Sequence, residues 1–236
     1  MENATDAARL AAHNNADLYA AILTAHGLPF QRDEAAFVCL DDPPPYYSHI
    51  TTLDPDAAAA QTAFVHQLRA EGRVVRGVKD GFAMLDPDAL GLRVLFDASW
   101  TWRAGRAEDM PPGWTRIGTT GDLALWHDAW RVGCPTDHVV FPPACLDDPA
   151  LAFLARRGAD GIEAGCLANL SGTVVGLSNV FVAHGVPPAY PEAARAASAF
   201  GEGRPVVGYE SGPALGHARA AGFEETGPLR VLVREA

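Results

Sequence analysis

The stretch GIEAGCLANL-SG-TVVGLSNVFV, residues 161–182, is the clearest β signal in the chain. Two runs rich in Val, Leu, Ile and Ala flank Ser171-Gly172, and a two-residue link containing glycine matches the twist of an antiparallel pair. The stretch therefore reads as a hairpin, with strands over Gly161 to Leu170 and Thr173 to Val182. On the second strand, simple alternation places Val175, Leu177, Asn179 and Phe181 on one face. Asn179 stands out in that apolar row, because a buried amide needs hydrogen-bond partners. It is either a cleft residue facing a ligand or a residue that satisfies a bulge.

Outward from the hairpin, strands and helices alternate. Pro191 to Phe200 reads as a helix ended by Gly201, Pro205 to Glu210 as a strand, Pro213 to Ala221 as a helix stopped by Gly222, and Leu229 to Arg234 as a last strand. Upstream, Trp114 to Ile117 reads as a strand. It is followed by a helix capped by Thr119 or Thr120, with Leu123, Trp126 and Trp130 on one face. Asp148-Pro149 signals a further helix through Leu151, Phe153 and Leu154. The order β-α-α-β-β-α-β-α-β predicts an α/β fold around a mixed sheet over residues 114–236.

A shorter helix, strand, helix, strand series precedes it. Asp54-Pro55 opens a helix to Glu71, Arg73 to Val78 reads as a strand, Pro87 to Leu90 as a short helix and Leu92 to Ala98 as a strand. Words recur between the series: Glu71-Gly72-Arg73 before Val-Val matches Glu202-Gly203-Arg204 before Pro-Val-Val, and Leu92-Arg93-Val94-Leu95 matches Leu229-Arg230-Val231-Leu232. Glu108 to Gly113 reads as a linker. The expected organisation is a half over 1–113 and a unit over 114–236.

Composition restricts the partners. The chain has 236 residues, 48% of them hydrophobic, and a formal net charge of −11 with no basic stripe, which excludes a nucleic-acid partner. No apolar run approaches the roughly 20 residues of a membrane span. The acidic start Met1 to Asp6 lacks the form of a signal peptide, so a cytoplasmic location is expected. Of the 18 basic residues, Lys79 is the only lysine, which reads as codon bias. Cys39, Cys134, Cys145 and Cys166 are isolated, with neither metal-ligand spacing nor a disulfide pattern, so buried thiols and no metal are expected.

The order of elements from Gly161 to Arg234 resembles the GNAT superfamily of N-acyltransferases, as a degenerate member with a second, incomplete GNAT-like half at the N-terminus. The resemblance implies a central strand, Thr173 to Val182, splaying from the parallel strand Val206 to Glu210 around acetyl-CoA or another acyl-CoA. It implies transfer of the acyl group to a small amine, with a homodimer among the expected states. Phe181, Val182, Ala183 and Gly185 then take the cofactor-binding places. Glu163 takes the place of a base, and Tyr209 that of an acid. Asn179, Ser178, Ser211 and His217 fall at the substrate cleft. Two departures bear on this. Ala218 stands where many members have the tyrosine acid. The stretch Ala183 to Pro191 has one glycine, three prolines and no Arg or Lys where members carry a glycine-rich pyrophosphate loop. The alternative is a non-catalytic GNAT-fold protein that binds a ligand or a protein and has lost CoA binding. Without the resemblance, Glu163 is an exposed carboxylate at a strand start, Tyr209 a half-buried aromatic and His217 a packed or solvated histidine. Asp41 to Tyr47 forms a proline-rich turn whose tyrosine pair is placed to line a pocket.

Overall fold

The computed structural model describes residues 3–159 and 161–235. Helix α1 (Ala4–His26) opens the chain. Strands β1 (Phe30–Arg32), β2 (Ala36–Cys39) and β3 (Ile50–Thr52) follow, then helix α2 (Ala58–Ala70), β4 (Gly77–Asp80) and the long β5 (Arg93–Arg103). The rest is β6 (Trp114–Arg116), α3 (Thr120–Arg131), β7 (Leu151–Gly158), β8 (Gly161–Ser171), β9 (Val174–Val182), α4 (Tyr190–Phe200), β10 (Val206–Glu210), α5 (Gly212–Ala220) and β11 (Glu224–Val233). The fold is mixed α/β, as the order of sequence signals predicts.

All eleven strands join one sheet in the order β1-β2-β3-β4-β11-β5-β10-β9-β8-β7-β6. Helices α1 and α3 cover one face, through Tyr19, Leu23, Trp126 and Trp130. Helices α2, α4 and α5 cover the other, through Val65, Leu68, Ala193, Ala197 and Ala218. Strand β5, from the first half of the chain, lies between β11 and β10 and pairs antiparallel with both.

Helix α1 went unread in the sequence. Its signals are local: Asn3 Oδ1 accepts the Asp6 N–H at 2.9 Å as an N-cap, and Gly27, at φ 69°, ends it in the left-handed conformation. Small residues on its inner face, Ala8, Ala11, Ala12 and Ala16, let it lie close to the sheet.

The helix expected after Asp148-Pro149 is strand β7. Asp148 Oδ1 accepts the Ala150 N–H at 2.9 Å, a local turn rather than a helical cap, and Leu151 to Ala155 are buried on both faces of the sheet. A short run of continuous apolar residues has no periodicity to distinguish helix from strand. The helix expected at Pro87 to Leu90 is a single turn ended by Gly91 at φ 57°. The strand expected over Arg73 to Val78 begins only at Gly77.

The hairpin forms with its turn at Gly172, φ 54°. Strand β9 then bulges: Gly165 pairs with Phe181 and Leu167 with Ser178, so Asn179 and Val180 lie opposite the single residue Cys166. The extra residue shifts the side-chain phase. Val175 and Leu177 face α4, whereas Phe181 faces α3 and packs edge-on against Trp126 at 5.0 Å. The single alternating face drawn through all four residues is corrected by this bulge.

Candidate functional site

Strands β9 and β10 run parallel and pair only at Val175 with Val206 and Gly176 with Val207. Past that point they part. The opening is small on the α1 side: a crevice of about 10 Å³ between Ser178, Gly208 and Tyr209, roofed by Asn14 and Asn15 of α1. Asn14 and Asn169 fix the helix there by exchanging amide-to-backbone hydrogen bonds of 3.2 and 3.1 Å.

Tyr209 also lines a far larger cavity of about 930 Å³ on the same face of the sheet. Small-molecule sites commonly measure roughly 300–1,000 Å³. The walls are mostly apolar, including Leu28, Phe96, Pro142, Val231 and Val233, while Asp42, His49 and Arg76 line the polar part. The proline-rich turn before β3 forms one side, and both Tyr46 and Tyr47 line the cavity.

Lys79 also lines it. On β4, Val78 packs on the α2 face, so alternation turns Lys79 to the α1 face. The residue is 2% exposed. Its Nζ donates to Asn15 Oδ1 at 2.8 Å and lies over two aromatic rings, 4.2 Å from the Tyr209 centroid and 4.8 Å from that of Tyr19. Among the described residues no carboxylate forms an ion pair with it. The adjacent Asp80 pairs with Arg230 at 2.8 Å and accepts the Met84 and Leu85 N–H groups.

The electrostatics favour a charged ammonium beside neutral phenols. Burial pulls the Lys79 ammonium down, the facing tyrosine oxygens push it up, and the balance lies upward. For Tyr209 the Lys79 charge pulls the phenol down, burial pushes it up, and it too ends above its ordinary value. The Tyr209 ring is held edge-on against Trp100 at 5.6 Å. Tyr19 Oη is buried facing Lys79, and its proton has no acceptor among the described residues. At the polar side, burial lowers His49, whose Nδ1 accepts the Arg76 N–H at 3.4 Å while Nε2 faces Asp42 at 3.5 Å.

The residues expected at the site are not all brought together. Tyr209 lines both cavity and crevice, and Ser178 lines the crevice. Asn179 sits on the bulge at φ 53°, its Nδ2 donating to Ser178 Oγ at 3.0 Å. Glu163 lies beside Arg156 at 3.5 Å, outside both spaces. Ser211 precedes α5 without a side-chain cap bond, and His217 is exposed in the last turn of that helix. On the opposite face, Tyr190 Oη donates to Glu210 Oε1 at 2.9 Å. Burial raises the Glu210 carboxyl to about 7, with the Tyr190 hydrogen bond opposing the shift.

The start of α4 does not fit a pyrophosphate bound as the resemblance implies. Ala189 makes no side-chain cap bond, Pro191 has no N–H, and Glu192 places a carboxylate in the first turn, paired with Arg156. Ala183 N–H is already donated to Glu163 O at 2.7 Å, and Val186 N–H to Ala183 O at 3.1 Å. Phe181 and Val182 pair with β8, and Gly185 turns the exposed loop at φ 80°. Among the described residues, no group of three or more His, Cys, Asp or Glu is placed to hold a metal ion, and no helix is long and apolar enough to cross a membrane.

A bulged central strand parting from its parallel neighbour, with helices on both faces of a mixed sheet, defines the class of α/β fold. It is the GNAT fold, that of the GCN5-related N-acetyltransferases. A GCN5-related N-acetyltransferase from Kribbella flavida superposes with a TM-score of 0.59 at 13% identity, covering 94% of this chain and 95% of that one. A protein from Novosphingobium aromaticivorans, described as an acetyltransferase from the GNAT family, gives 0.58 at 14% identity over 92% and 97%. A conserved protein of unknown function from Staphylococcus epidermidis gives 0.56 at 10% over 87% and 92%. No protein-family model matches the sequence, and the search of curated proteins found no match.

Proposed function

We propose that the protein is an acyltransferase of the GNAT type, moving an acyl group from an acyl-CoA thioester to the amine of a small molecule held in the central cavity. The observation that supports this most is the position of Tyr209, which lines both the cavity and the crevice where β9 and β10 part. The thioester supplies an activated carbonyl: a C–N bond forms, the C–S bond breaks, and the amine loses a proton as the sulfur leaves as a thiol.

The chain's own residues then have separable tasks. Tyr209 keeps its proton at neutral pH because its phenol lies above its ordinary value, and the Lys79 charge beside it makes that proton easier to release than from a phenol buried alone. In the proposal Tyr209 takes the acid's place that Ala218 leaves vacant. The apolar walls keep water from the reacting carbonyl. The net charge of −11 supports a small molecule over a nucleic acid as acceptor.

A second reading, a GNAT-fold ligand-binding protein that does not use CoA, is favoured by the prolines and Glu192 at the start of α4. One pair of measurements separates the two. Amine-dependent release of free thiol from acetyl-CoA, with thermal stabilisation by CoA, supports acyl transfer; a ligand at a hundred times its Kd adds about 2.7 kcal/mol. No thiol release and no shift in Tm at millimolar CoA would leave the second reading.

A further inference from the structure

Lys79 is a buried ammonium with no counter-ion among the described residues. An ammonium has three donors. One is used on the neutral Asn15 amide, and the rest of the group faces the rings and the neutral hydroxyl oxygens of Tyr19 and Tyr209, none of which carries a compensating charge. Burying an uncompensated charge is costly, and cation–π contacts offset only part of that cost. Tyr19 Oη, a second buried polar atom on the same cavity lining, faces that ammonium, and its own proton has no acceptor among the described residues. An unpaired cation and an unpaired hydroxyl donor facing one cavity are complementary to a single anionic group.

The surroundings define that group further. Among the described residues, the only other Lys or Arg lining the cavity is Arg76, which is held by Asp42 at 3.1 Å, so one permanent charge is available to the ligand. That favours a monoanionic carboxylate over a phosphate. The walls formed by Leu28, Phe96, Pro142 and Val231 fit an apolar body. In an α-amino acid the nitrogen is two bonds from the carboxylate carbon. With the carboxylate on Lys79, the amine falls beside Tyr209, whose ring centre is 4.2 Å from Nζ and which borders the crevice between β9 and β10.

We infer that Lys79 and Tyr19 anchor a carboxylate, and that the cavity takes an α-amino acid with an apolar side chain, presented amine-first to Tyr209. The carboxylate site rests on the cavity alone; the role of the amine as acceptor rests on the acyl-transfer reading above.

Calorimetric titration of the full chain with four probes tests this: L-phenylalanine, 3-phenylpropionate, its neutral amide 3-phenylpropionamide, and phenethylamine. The two carboxylates bind at least tenfold more tightly than the amide and the amine. In Lys79→Met, checked for folding by circular dichroism, that preference disappears. Equal binding of 3-phenylpropionate and its amide to the unaltered protein, or no binding of either carboxylate, overturns the inference without reliance on any variant. Thiol release from acetyl-CoA separates it from the underlying reading. Turnover of phenethylamine as fast as phenylalanine overturns the amino-acid inference and leaves acyl transfer standing. Carboxylate-selective binding with no thiol release overturns acyl transfer and leaves the Lys79 anchor standing.

Discussion

Asn179 holds a left-handed backbone, φ 53°, in the half-buried part of β9, a conformation that costs most residues roughly 1–2 kcal/mol and that asparagine and glycine tolerate. Replacing it with Ala lowers stability by about 1 kcal/mol, and replacing it with Gly changes stability little, both read from urea unfolding. Equal losses in the two variants would mean that its side chain, not its backbone, is what matters. Glu210 makes a prediction with a defined sign. Its folded carboxyl titrates at about 7, above the ordinary 4.5, so the native state keeps a proton that the unfolded chain has lost. Stability therefore falls as pH rises from 4.5 to 7, by up to roughly 3 kcal/mol, and Glu210→Gln removes that slope. Equilibrium unfolding of both proteins at pH 4.5, 6 and 8 measures it. At this scale the sequence was only partly legible. Tyr209 is recognisable as the end of a parallel strand. Lys79 reads as codon bias, although its being the only lysine among 18 basic residues was the available signal. Its meaning depends on Asn15, Tyr19 and Tyr209 converging from distant segments, and no local pattern encodes that.

Among the elements, those with strong local signals are legible. Thr119 caps α3 by accepting the Asp122 N–H at 3.2 Å, and Ser171-Gly172 marks the hairpin. The failures have physical causes. Strand β7 is buried on both faces and so carries no period; at Asn179 the bulge that the sequence offered as one reading forms, and it is the face of Phe181 beyond it that simple alternation misplaces. The docking of α1 was also hidden, since it depends on Asn14 and Asn169, 155 residues apart. Gly176, the last residue of β9 paired to β10, lies beneath these two amides; a Cβ there would collide with both side-chain oxygens. Gly176→Ala accordingly destabilises the protein by about 3 kcal/mol and loosens α1, seen as faster hydrogen exchange around Asn14. An unchanged Tm would show that the helix has room to shift.

For the whole molecule, the strand order bears on the proposed division into 1–113 and 114–236. Strand β5 of the first half lies between β11 and β10 of the second, and β11 lies between β4 and β5. Each half also has a parallel pair, β3 with β4 and β9 with β10. From this near-palindromic order we propose two related halves that exchange a strand, neither of them self-sufficient. A fragment of residues 114–236 would expose the β10 and β11 edges that β5 covers, and we expect it to lack a cooperative unfolding transition when expressed alone; a cooperative transition would make the halves independent domains.

In the proposed reaction, chemistry takes place at Tyr209, where it lines both the crevice and the cavity. Its most direct test is amine-dependent thiol release from acetyl-CoA by the intact protein and by Tyr209→Phe, which keeps the ring against Trp100 and Lys79 and removes only the hydroxyl. Measurable release by the intact protein, and at least a tenfold lower kcat in the variant at unchanged Tm, are the expected results. An equal kcat in the two proteins, or no release by either, would contradict the proposed reaction.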